Sequence, residues 1–197
     1  MHIRPNVLDW KISYLTSLVT VLLTGPSKNS LAAEMALTLS TDASPAMILL
    51  LGRSRDRVAP VLESISAANS TVKAIFIECD LTQHDSVRAA VTAIKQRTDK
   101  IHVVINSAGN MANPEYSQSA EGVETQFAAG YLGHFLLTCS LIDLIIAAGD
   151  GARIVTMASM GYVNSGIRYE DINFRVRSPH TLSFLRLSAM PRSKITD

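Results

Sequence analysis

Ile101-His102-Val103-Val104-Ile105-Asn106-Ser107-Ala108-Gly109 is the stretch that decides the fold. A short apolar run ends abruptly in a small, polar turn that closes on glycine. Other apolar runs end comparably: 19–23 passes into Thr24-Gly25, 47–51 into Gly52-Arg53-Ser54, 72–77 into Asp80-Leu81, and 154–157 into Ala158-Ser159. Continuous apolar runs of this length suit strands buried on both faces. Strands that all finish in small polar turns describe one edge of a sheet, shaped to hold a cofactor.

Helical patterns fill the intervals. The chain predicts a helix over 31–39 and another over 56–68, where Val58, Val61, Leu62 and Ile65 recur at helical spacing. A third spans 85–97, with Val87, Val91 and Ile94 on one face. A loop containing Pro114 precedes a long helix over 122–146, which Asp150-Gly151 closes before the fifth strand. β-Branched runs separated by amphipathic helices indicate a parallel sheet with right-handed crossovers.

Composition agrees with a folded α/β chain. The 197 residues are 47% hydrophobic and 18% charged, enough for one domain with a sizeable core. A net charge of +1 gives no pointer to nucleic acid. Cys79 and Cys139 both lie in apolar segments and are expected to be buried reduced thiols, which implies a reducing, cytoplasmic setting. Residues 14–23 are apolar and follow Arg4 and Lys11, as a secretory leader would. Asp9 interrupts that lead-in and the run continues directly into Thr24-Gly25, which reads as a buried first strand. Residues 1–17 form an N-terminal extension and 18–197 a single domain. No apolar run is long enough to span a bilayer.

In a doubly wound sheet a dinucleotide sits at the carboxyl ends of the strands, beside strand one. Glycines there let backbone N–H groups approach the pyrophosphate. The turn here reads Thr24-Gly25-Pro26-Ser27-Lys28-Asn29-Ser30-Leu31-Ala32, with Gly25 its only glycine. Asn29 tolerates the left-handed conformation, and Asn29 or Ser30 serves equally well as an ordinary helix N-cap. The end of strand two says more. An acidic residue there would bind a ribose 2′-hydroxyl and signal NAD. Gly52-Arg53-Ser54-Arg55 offers guanidinium groups instead, which suit a 2′-phosphate or else form a solvated basic turn. A dinucleotide bound here is expected to be NADP(H).

With these landmarks in order, residues 18–174 resemble the short-chain dehydrogenase/reductase family. The ordered set is Thr24-Gly25, Gly52-Arg53-Ser54, Asp80-Leu81, Asn106-Ser107-Ala108-Gly109, then Gln126-Phe127 through Leu132-Gly133-His134-Phe135, then Arg153-Ile154-Val155 through Ser159. Gly166-Ile167-Arg168-Tyr169-Glu170-Asp171-Ile172-Asn173-Phe174 resembles the retinol-dehydrogenase-like and fungal branch. The resemblance implies a Rossmann-type doubly wound sheet of five strands in the order 3-2-1-4-5, with helices on both faces and incomplete at the C-terminal side. It implies that Gly25, Ser27, Asn29 and Leu31, with Arg53 and Ser54, contact the cofactor. Asp80 would accept the adenine amino group with the Leu81 backbone beside it. Asn106 would anchor the turn over the cofactor, and Ala108 and Gly109 would line it. Ser159 would orient the substrate carbonyl or hydroxyl. A tyrosine, followed four residues later by a lysine that lowers its pKa, would carry the proton.

The chain departs from that pattern in four places. Lys194 is the lysine in position, but Met190 stands where the tyrosine belongs, and a thioether has no transferable proton. Gly130 occupies the place of an asparagine that supports a proton relay, and His134 is expected on the helix surface or at an interface. The glycine turn is thinned. The chain ends three residues after Lys194, where the family continues with two further strands and a substrate-covering segment. Strand five is therefore expected as a sheet edge, covered by association with another chain unless the sequence is a piece of a longer one. Tyr131 and Tyr162 read as packing tyrosines. The family-level expectation is an NADP(H)-dependent alcohol–carbonyl oxidoreductase acting on a small lipophilic substrate, in secondary metabolism. A degenerate binding or partner subunit and a non-redox enzyme on the same scaffold are the alternatives. The helix over 122–146 is the candidate homo-oligomer surface.

Overall fold

A computed structural model describes residues 18–109, 115–163, 167 and 169–175. The extension 1–17, Met190 and Lys194 lie outside the described residues. Five parallel strands form one sheet in the order β3-β2-β1-β4-β5: β1 Thr20–Thr24, β2 Met47–Gly52, β3 Lys73–Glu78, β4 Val103–Asn106 and β5 Arg153–Thr156. This is the expected Rossmann-type order. The chain reverses direction across the sheet between β1 and β4, so the carboxyl ends of those two strands flank the switch point.

Each central strand is apolar on both faces because helices cover both. Val21, Leu23, Ile48 and Leu50 pack with Ala32 and Ala36 of α1 (Leu31–Thr38) and with Val58, Val61 and Ile65 of α2 (Arg55–Ala68). Leu22, Leu49 and Leu51 face the other way, onto Val87, Val91 and Ile94 of α3 (His84–Lys95) and Leu137 of a later helix. Successive strand residues point to opposite faces, so one apolar run supplies two cores.

The long helix expected over 122–146 is a series of shorter pieces. Glu124 starts it, both carboxylate oxygens accepting backbone N–H groups of Gln126 and Phe127 at 2.9 Å. Gly122, in a left-handed turn, stays outside. A short α4 (Thr125–Phe127) gives way to a π-helical turn over Ala128–Leu132, then to α5 (Gly133–Ser140). Leu141 leaves helical geometry at φ −109° and ψ 6°, and α6 (Ile142–Ala147) follows. Cys139 is a second correction: it is exposed on α5, whereas Cys79 is buried after β3 as expected. β5 pairs only with β4 among the described residues, and all its residues are exposed.

Candidate functional site

The carboxyl ends of the strands enclose a cleft of about 480 Å³. Its floor is the turn after β1. Gly25 has φ +77° and makes the cleft possible: a Cβ there would lie 2.8 Å from the Ala108 Cα. Asn29 takes the left-handed conformation at φ 63°, as its side chain allows. Ser30 is the N-cap of α1, its Oγ accepting the Ala33 N–H at 3.1 Å. The N–H groups of Leu31 and Ala32 open that helix and have no acceptor within it.

Of the residues expected to contact a cofactor, Gly25, Ser27, Leu31, Arg53, Asp80, Leu81, Ala108 and Gly109 line the cleft. Asn29, Ser54 and Asn106 do not. Asn29 serves the turn's backbone, and Ser54 is the N-terminal flanking residue of α2. Asn106 is buried beneath its turn, where Nδ2 donates to Thr138 Oγ1 at 3.1 Å. Its backbone carbonyl accepts the Met157 N–H at 3.0 Å, joining β4 to the end of β5. Ser159 is exposed and directly follows Met157 and Ala158, which line the cleft.

The cationic wall contains one residue that the sequence reading passed over. Arg57, four positions beyond Arg53, lines the cleft beside it, and its carbonyl accepts the Lys28 N–H at 3.2 Å. The available signal was the third arginine of the run Arg53-Ser54-Arg55-Asp56-Arg57. Arg55 is committed elsewhere, over the Phe76 ring at 5.9 Å. At the other wall, Asp80 Oδ1 accepts both the Thr82 N–H at 2.9 Å and the Thr82 hydroxyl at 2.7 Å. Burial, with the Asp80 charge beside it, pushes the Cys79 thiol up to about 12, so this cleft residue is a packing thiol rather than a nucleophile.

His134 contradicts its expected place on a helix surface. It is 5% exposed, and Nε2 lies 2.9 Å from Thr24 Oγ1. The same hydroxyl accepts the Ser107 N–H at 3.0 Å and the Ala108 N–H at 2.9 Å. Burial lowers the His134 pKa, against a smaller opposing effect of the Gly130 carbonyl. Gly133 shows why α5 comes so close: a Cβ there would collide with the Leu81 carbonyl oxygen and lie 2.8 Å from the Leu81 Cβ.

These features define a Rossmann-type domain with a strand-end cleft, one wall of which carries Arg53 and Arg57. A family profile described as short chain dehydrogenase matches residues 19–169, and the chain belongs to the short-chain dehydrogenase/reductase family. A short-chain dehydrogenase/reductase named drtF, from Aspergillus calidoustus, is 32% identical over 138 residues, covering 65% of this chain and 44% of the relative. Human polyprenol dehydrogenase is 31% identical over 137 residues, covering 68% and 41%. A short chain dehydrogenase of Salmonella enterica has the same fold, with TM-score 0.63, 22% identity, and coverage of 81% of this chain and 67% of that one. The chain spans about half the length of the curated relatives it matches.

The family binds a nicotinamide dinucleotide, and the cleft's residues fit one. Gly25 leaves room for a backbone-lined floor where a Cβ would meet Ala108. The open N–H groups of α1 and the Arg53–Arg57 wall suit phosphates. Leu31 is 59% exposed where it lines the cleft. Among the described residues there is no cluster of metal-ligating side chains, and no helix is long and apolar enough to cross a membrane.

Proposed function

We propose that this chain is an NADP(H)-dependent oxidoreductase that interconverts an alcohol and a carbonyl on a small lipophilic substrate. One observation carries the reading: Arg53 and Arg57 share the wall of a strand-end cleft whose floor is Gly25. Two guanidinium groups facing a 2′-phosphate supply charge and forked hydrogen bonds that a ribose 2′-hydroxyl cannot use. Gly25, Ser27 and the first N–H groups of α1 hold the pyrophosphate, and Asp80 with Leu81 borders the adenine. Asn106 braces the turn that carries Ala108 and Gly109 against the nicotinamide half. The cofactor, when bound, supplies hydride chemistry. Ser159 orients the substrate oxygen, and Lys194 holds the ribose. A relative named polyprenol dehydrogenase supports a lipophilic substrate, and a role in secondary metabolism belongs to the same proposal. Two free cysteines support a cytoplasmic setting.

Met190, in the place of the family's tyrosine, favours a second reading, a chain that binds the cofactor without turning it over. The two are separated by NADPH-dependent reduction of a panel of lipophilic ketones by the full chain and by Met190→Tyr. Under the first reading, restoring a phenol raises turnover by about 10²-fold or more, the usual contribution of a positioned acid. Binding of NADPH with no turnover in either protein establishes the second.

A further inference from the structure

The Thr24 hydroxyl has one proton and two lone pairs. Both lone pairs are taken by the Ser107 and Ala108 N–H groups, at 3.0 and 2.9 Å. The proton therefore points at His134 Nε2, 2.9 Å away, which must be bare to accept it. The other ring nitrogen then carries the imidazole proton, and it faces the Gly130 carbonyl oxygen at 3.3 Å. Every donor in this buried chain has an acceptor only in this one arrangement: Nδ1–H to Gly130, and Thr24 Oγ–H to Nε2. Thr24 is 1% exposed, so water does not substitute for a missing partner.

The position of this pair matters as much as its bonding. Gly133 sets α5 against Leu81 after β3, and His134, the next residue, reaches Thr24 at the end of β1. Thr24 in turn holds the turn that follows β4. One two-residue step at the start of α5 thus ties together the ends of three strands, all of which line the cleft through Thr24, Leu81 and Ala108.

We propose that His134 is a positioning residue: by fixing the Thr24 hydroxyl proton it holds the Ser107-Ala108 turn against Gly25 and so sets the shape of the dinucleotide cleft. The link to ligand rests on the cofactor reading above, while the hydrogen-bond arrangement does not. The test uses the full chain. Nitrogen-15 NMR of the imidazole is expected to show a neutral ring with the proton on Nδ1. His134→Phe, which offers no acceptor, is expected to weaken NADPH and NADH alike, by about tenfold, the scale of one buried hydrogen bond. His134→Gln, whose amide oxygen can take the Thr24 proton, is expected to restore both to within about threefold, on the same energy scale. Adding His134→Phe to Thr24→Val is expected to weaken binding no further, because the pair acts as a unit. A proton on Nε2, or equal losses in the Phe and Gln variants, overturns the proposal. So does additivity in the double variant. If the unaltered chain binds neither nucleotide, the cofactor reading falls. The ring tautomer, with the coupling between positions 24 and 134 in thermal unfolding, then decides the positioning claim.

Discussion

The Cys79 thiol is 3% exposed and borders the cleft next to Asp80. Desolvation and the neighbouring carboxylate keep it protonated far above neutral pH, and only a thiolate attacks an alkylating reagent at useful rates. Native protein at pH 7.5 is therefore expected to take up one maleimide, at exposed Cys139, and a second only after unfolding. Mass spectrometry of the labelled peptides checks both sites. His134 makes an opposite kind of statement about pH. Its folded pKa lies below the ordinary histidine value, so between the two values the unfolded chain binds more protons. Stability contributed at this residue is complete above about pH 6.5 and is lost as pH falls through the folded pKa. Urea unfolding at pH 7.5 and 5.5 is expected to show a smaller loss for His134→Gln than for the unaltered chain. The burial of this histidine was not legible from its neighbours. A polar residue within a helical stretch reads as surface by default, and the contact that reverses this comes from Thr24, 110 positions away.

At the scale of elements, the strands were legible as continuous apolar runs, and α2 and α3 because each follows a helical period. Val58, Val61 and Ile65 fall on one face of α2 and are all buried. Val87, Val91 and Ile94 do the same on α3. The interruptions between Thr125 and Ala147 were not legible. A π-helical turn at Ala128–Leu132 and the break at Leu141 answer to packing across the sheet rather than to local apolar spacing. Gly133 is the residue on which that packing turns. Gly133→Ala is expected to cost about 1–3 kcal/mol, the usual range for overpacking a tight contact. Denaturant unfolding measures it, and cofactor affinity should fall with it because α5 withdraws from Leu81. Gly130→Ala is the control: a Cβ there meets nothing within 4 Å, so the substitution should be tolerated.

On the scale of the whole molecule, two surfaces set what the chain can meet. Phe127, Tyr131 and Phe135 form a stacked ladder with centroids 5.3 and 6.2 Å apart. Tyr131 and Phe135 are more than half exposed, and Ile146 is 71% exposed farther along the same helical series. We propose this face as the homo-oligomer surface. Sedimentation at micromolar concentration is expected to show a dimer or larger species, and Tyr131→Glu with Phe135→Glu should shift it to monomer. The cleft is the other surface, and there the sequence went further. The order of its strand-end turns anticipated a cleft at the carboxyl edge of the sheet, and Arg53 a basic residue there, whereas Arg57 emerges only when α2 is seen against the cleft wall. Calorimetric titration of the full chain with NADPH and with NADH, beside Arg53→Ala, tests the central claim most directly. The unaltered chain is expected to prefer NADPH, and Arg53→Ala to lose about tenfold or more for NADPH while NADH changes little, as for removal of a charged hydrogen bond. No binding of either nucleotide at millimolar concentration, or an equal loss for both on Arg53→Ala, would contradict it.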